Sequence, residues 1–115
     1  TLTSLTSLYL YNTAVSGDIA SLATLTSLTS LYLYNTAVTY TTMTIPDNWK
    51  NIHVSYLAWD SATVDQFIID LDTPGRVHDG TLDIAGTNAA RTSASDDAKA
   101  SLEAKGWVIT VNEPP

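Results

Sequence analysis

Asp70 and Asp72 open the stretch DLDTPGRVHDGT, residues 70–81, and fall at the first and third places of a twelve-residue calcium loop, with Gly75 at the sixth and Val77 at the eighth. Pro74 stands where a third oxygen ligand belongs, and Thr81 replaces the bidentate glutamate. The stretch therefore reads as a helix-to-strand turn with solvated acids. His53 and His78 are the only histidines and there is no cysteine, so the ligand spacings of a zinc site are missing. His53 is expected on an exposed sheet surface and His78 in a loop. A Ser/His/Asp set can be drawn on paper, but no G-x-S-x-G elbow exists to expose a nucleophile, and there is no Gly-rich phosphate loop. No catalytic residue, metal ligand or cofactor is expected, and the chain reads as non-catalytic.

The chemistry that remains is recognition by tyrosine and asparagine. Tyr9, Tyr11 and Asn12 recur as Tyr32, Tyr34 and Asn35, because LTSLTSLYLYNTAV runs from Leu2 to Val15 and again from Leu25 to Val38. Self-similarity at a fixed period of this size marks stacked units, each too small to bury its apolar face alone. Within the phrase, Leu28, Leu31, Leu33, Thr36 and Val38 are spaced L-x-x-L-x-L-x-x-T-x-V, as are Leu5, Leu8, Leu10, Thr13 and Val15. The L-x-L piece alternates like a short strand with one buried face. The threonine after it falls where the backbone turns inward, a place for a small polar side chain that can bond peptide groups of the next coil.

This pattern resembles the leucine-rich repeat, with Thr where Asn is more usual. Gly17, Ile19, Leu22, Leu25 and Leu28 spell G-x-I-x-x-L-x-x-L-x-x-L, similar to the convex half of the longer repeat type. The closing stretch, with GTLDI, TNAA and KGW, is similar to the ends of leucine-rich-repeat proteins of phages and Bacteroidetes-like bacteria. The resemblance implies an α/β solenoid: a right-handed superhelix with a parallel concave sheet and helical C-terminal repeats. It also implies an extracellular, cell-surface or virion setting.

The later residues keep the skeleton while changing the filling. Trp49, Ile52, Val54, Leu57 and Trp59 repeat the offsets of the second copy 21 residues on. Val64, Phe67, Ile68 and Leu71 are spaced i, i+3, i+4 and i+7 and predict a helix capped by Asp60 or Ser61 and ended by Thr73 to Gly75. A strand is predicted at Thr81 to Ala85, with Thr87 at the inward turn. A second helix follows, opened by a capping box of Ser93 and Asp96, striped by Ala94, Ala98 and Leu102, and closed by Gly106. Trp107, Ile109 and Val111 alternate as a last strand. One domain over 1–115 is expected: two near-identical short repeats in 1–45, then degenerate, helix-containing repeats and a cap in 46–115.

Composition narrows the partners. Net charge is −7 with only five Lys+Arg, which opposes nucleic-acid binding, and no apolar run is long enough for membrane insertion. The chain begins inside a repeat, so its N-terminal edge is expected to meet upstream repeats or a partner chain. On the concave face the exposed residues are Ser7, Tyr9, Tyr11 and Asn12; Ser30, Tyr32, Tyr34 and Asn35; Asn51, His53, Ser55 and Tyr56; and Thr81, Asp83, Ala85 and Gly86. Tyr9 should stand beside Tyr32 and Tyr11 beside Tyr34, a platform of the residue types that paratopes favour. Two readings stay open: an adhesion module recognising a protein or cell-surface glycan through Tyr9, Tyr11, Asn12, Tyr32, Tyr34, Asn35, His53 and Tyr56, or a structural cap or spacer whose tyrosines only stabilise the sheet. Ice binding by threonine rows such as Thr6 with Thr29 would need more regular coils than the two present.

Overall fold

A computed structural model describes residues 4–73 and 79–113. His78, Gly75, Val77 and the end of the TPG turn lie outside them. The main element is a five-stranded parallel sheet built from three-residue strands: β1 Ser7–Tyr9, β3 Ser30–Tyr32, β5 Asn51–His53, β6 Thr81–Asp83 and β7 Val108–Thr110, side by side in chain order. β2 Ser16–Asp18 and β4 Ala37–Thr39 form a second, two-stranded parallel sheet. Helices α1 Ser61–Asp72 and α2 Asp96–Ala104 fill the connections between the later strands.

The leucine spacing sets the register. Leu8, Leu31, Ile52, Leu82 and Ile109 pair in one row across the main sheet. Ladder bonds continue beyond the strands, from Leu10 N to Tyr32 O and Leu33 N to His53 O, both at 2.9 Å. Between β1 and β3 the register equals the repeat, Ser7 opposite Ser30. In the small sheet Ser16 lies opposite Ala37, a slip of two residues that keeps every side chain on its own face. The two copies are buried unequally. Leu28, Leu31 and Leu33 are at most 1% exposed, whereas Leu5, Leu8 and Leu10 are only half-buried, because among the described residues the first copy has a neighbour on one side only.

Both tryptophans of the third segment clamp it to the second copy. The Trp49 indole donates to Leu25 O and the Trp59 indole to Val38 O, each at 3.1 Å, so these large rings are buried with their one donor used. Helix α1 forms as the periodicity predicts, with Val64, Phe67, Ile68 and Leu71 fully buried. Asp60 is its cap, accepting from the Thr63 hydroxyl at 2.7 Å and from Thr63 N at 2.9 Å, and those hydrogen bonds hold the carboxyl below its usual range.

Four local expectations are corrected. Thr36 does not reach the next segment; its hydroxyl donates to Leu33 O at 2.7 Å and accepts from Val38 N, closing its own turn. Thr87 is exposed, and the inward place belongs to Asn88. Thr92 rather than Ser93 starts the second helical segment, accepting from Ala94 N in a short 3-10 turn that runs into α2. There the buried residue is Ser95, not Ala94, because Ser95 donates to the buried Asp65 of α1 at 2.6 Å. Gly106 closes the helix as expected, one residue beyond Lys105, in the left-handed region at φ +96.

Asp70 also departs from its expected surroundings, being buried rather than solvated. Its carboxylate accepts from Tyr40 Oη, Thr42 Oγ1, Met43 N and Gln66 Nε2. Tyr40 in turn packs against Trp59 and Phe67. Burial first, then the hydrogen bond and charge of Asp70, push the Tyr40 phenol far above its ordinary value.

Asn88 joins two neighbouring strands by four bonds: Oδ1 accepts from Leu57 N and Trp59 N, both at 3.1 Å, and Nδ2 donates to Val54 O and Ile84 O, both at 2.9 Å. Asn88→Ala leaves those four backbone groups without it in a buried place and should lower the unfolding free energy by about 3 kcal/mol or more in a urea titration. Asn12→Ala, at an exposed site, gives up one hydrogen bond and puts an alanine in the left-handed region, and should cost about 1–2 kcal/mol, less than Asn88→Ala in the same assay.

A second expectation concerns alkali. The folded state holds the Tyr40 proton more tightly than the unfolded state, so this contribution is complete below the unfolded value near 10 and is lost as pH rises above it. Stability measured by far-UV circular dichroism should fall from about pH 10 upward. One phenolate should appear only as the fold is lost, and Tyr40→Phe should abolish that coupled step.

Candidate functional site

The exposed side of the main sheet carries two rows of rings. Strand pairing places Tyr9, Tyr32 and His53 in register, and neighbouring parallel strands lie about 4.8 Å apart, close to the distance at which rings stack. Tyr9 and Tyr32 stack at 4.5 Å and 9°, and Tyr32 and His53 at 4.3 Å and 13°. Two residues further along, Tyr11 and Tyr34 stack at 4.8 Å and 5°. The rows meet edge to face, Tyr9 with Tyr11 and Tyr34 with His53, each pair at 6.4 Å. Beside them Asn35 Nδ2 donates to Asn12 Oδ1 at 2.7 Å. Both asparagines are at φ 56, a left-handed conformation their short polar side chains tolerate.

The structure thus brings together Tyr9, Tyr11, Tyr32, Tyr34, Asn12 and Asn35 as the repeat dictates, and adds His53 as a third stacked ring. The first row ends there because β6 offers Asp83 in the same register. The second row stops one strand earlier. Ser55, expected on the exposed face, is buried at 4%, and it is too short to continue the stack beyond Tyr34.

Tyr56 takes the place of Asn35 in the third segment and keeps its left-handed backbone, at φ 57. A tyrosine gains no local hydrogen bond from that conformation, so the position is strained. Its ring covers Gly86, itself at φ +72, where a Cβ would stand 2.7 Å from the ring. Around the missing third ring lies a depression of about 280 Å³, lined by Tyr32, Tyr34, His53, Ser55, Tyr56 and Asp83.

Sequence reasoning missed Asp83 and Gly86 as partners of this site, although it placed both on the right face. The signal for Asp83 was its register with His53. For Gly86 it was a glycine opposite a bulky residue.

Face-to-face stacking decides what the rows can offer. Tyr32 has both faces covered by neighbours and presents only its edge and hydroxyl. Tyr34 has Tyr11 stacked on one face and meets His53 only edge to face, so no ring stacks on it from the far side among the described residues. Open aromatic faces therefore occur only where a row ends, and one such end is at the depression.

A smaller, apolar cavity of about 130 Å³ lies between the two copies, lined by core residues including Leu10, Val15, Ile19, Leu22 and Val38. Among the described residues no three His, Cys, Asp or Glu side chains gather as metal ligands would, and no helix is long and apolar enough to cross a membrane. Compared with protein-family models, curated proteins and solved structures, the chain matches none.

Gly86→Ala tests the support under Tyr56. A methyl at φ +72 and 2.7 Å from the ring should cost more than about 1 kcal/mol of stability and displace Tyr56, seen as changed chemical shifts of its ring and of Ser55.

Proposed function

We propose that the chain is a leucine-rich-repeat module, an α/β solenoid serving as a non-catalytic binding element. It recognises a protein or glycan through its Tyr, Asn and Ser face, at a bacterial or virion surface. The observation that carries this reading is the ordered, exposed aromatic array: Tyr9 is 54% exposed, Tyr11 41% and Tyr56 55%, in a sheet whose other face is a leucine core. Exposing contiguous aromatic area to water is unfavourable unless a partner covers it. Tyrosine also brings rigid, amphipathic contact area with few torsions to freeze on binding. The fold part of the proposal is supported by one strand per sequence copy in a parallel sheet, and by the inward asparagine Asn88.

A second reading, a structural cap or spacer in an extracellular filament or phage appendage, is favoured by the first copy alone. There Leu5, Leu8 and Leu10 are half-buried at the open edge of the sheet, where a further strand or partner chain would cover them.

The test is a screen of the folded domain on glycan arrays and bacterial surface preparations, beside the variant with Tyr9, Tyr11, Tyr32 and Tyr34 replaced by Ser. Binding should be lost in the variant while far-UV circular dichroism shows the fold retained. Equal binding by both proteins would overturn the proposal. Sedimentation that shows concentration-dependent association with no ligand bound would support the structural reading instead.

A further inference from the structure

The depression at the end of the tyrosine rows has a composition of its own. Tyr34, the last ring of its row, lines it together with His53, which meets Tyr34 edge to face, and with Tyr56, whose ring covers Gly86. One carboxylate, Asp83, joins these rings. Its Oδ1 accepts from Ala85 N at 3.2 Å, and its Oδ2 makes no hydrogen bond among the described residues.

No lysine or arginine lines the depression. The described basic side chains are engaged elsewhere: Lys50 with Asp79, Arg91 with Asp96 and Glu113, Lys99 with Glu103, and Lys105 with Asp72. In a chain of net charge −7, Asp83 is the one acid lining this hollow.

We infer that the depression lined by Tyr34, His53, Tyr56 and Asp83 binds an organic cation, of which a quaternary ammonium group is the type. The negative faces of aromatic rings attract such a charge, its methyl groups pack on the rings without needing hydrogen bonds, and a carboxylate at the rim supplies the counter-charge. A neutral ring such as a pyranose would gain nothing from the surrounding charge, and an anion would be repelled. The backbone strain at Tyr56 fits this use, since it sets a ring where both earlier copies have an asparagine. The inference rests on the reading of this face as a binding surface and names the chemistry of one subsite within it.

The test is a heteronuclear NMR titration of the domain with choline, beside 3,3-dimethylbutan-1-ol, its neutral isostere of the same shape. Choline should shift the signals of Tyr34, His53, Tyr56 and Asp83, and the isostere should bind on the order of tenfold more weakly. Asp83→Asn should weaken choline by a similar factor. Tyr34→Ser should abolish the shifts, while Val108→Ser, exposed and outside the depression, should leave them unchanged. Phosphatidylcholine vesicles in a parallel sedimentation arm tell a lipid headgroup from a free cation: co-sedimentation assigns the site to headgroups, and its absence beside choline binding assigns it to free cations. Equal affinity for choline and its isostere would overturn the inference, as would a protein untouched by choline.

The surface-binding screen separates the two claims. Loss of target binding in the four-tyrosine variant, with no response to choline, would sink the cation subsite and leave the recognition face standing.

Discussion

A backbone that turns inward between short strands must find partners for the peptide groups it buries, and the rest of this structure depends on how it does so. Three-residue strands leave most of each segment outside regular pairing. The gap is closed by side chains that reach from one segment to the next: the indoles of Trp49 and Trp59, the amide of Asn88, and the carboxylates of Asp65 and Asp70. No buried side-chain polar atom among the described residues lacks a partner. Hydrophobic burial drives the segments together, but these bonds fix which peptide group faces which, since an unpaired group in the core costs more than a paired one contributes.

Much of this was legible in the sequence, for a physical reason. A two-residue alternation inside a repeat leaves one choice of buried face, so the rows through Leu31 and Tyr32 followed once the period was recognised, and so did the stacking of Tyr9 on Tyr32. The stripe of α1 was equally plain, because Val64, Phe67, Ile68 and Leu71 admit no other helical face. What failed was the choice between adjacent polar residues. Thr87 and Asn88 differ by one position, and only three-dimensional reach shows that an amide, with two donors and an acceptor, can serve four backbone groups where a hydroxyl closes a single turn. Asp70 was misread likewise, since all its donors but Gln66 come from residues some thirty positions upstream. Ser55 lies where the last ring is missing, and a missing ring leaves no mark in a pattern of what is present.

The aromatic rows show a tension between holding and offering. Each stacked pair stabilises the sheet and aligns its neighbours, but every covered face is withdrawn from any partner. A longer uninterrupted row would be stiffer and would present only edges and hydroxyls. By ending one row at Ser55 and the other at Asp83, the chain leaves open faces beside a charge in the middle of the sheet instead of at its rim.

The unequal burial of the two identical copies has a mechanical consequence. Leu8 and Leu31 are the same residue in the same local setting, but one is held from a single side and the other from both. Tension applied through the two ends of the chain would therefore peel the first copy before the second, and leave the part clamped by Trp49, Trp59 and Asn88 until last. Each 23-residue period that comes away releases roughly 80 Å of extended chain. A module strung between two pulling bodies would in this way lengthen in a step and absorb load, while the hollow around Tyr34 and Asp83 kept its shape until the clamped segments gave way.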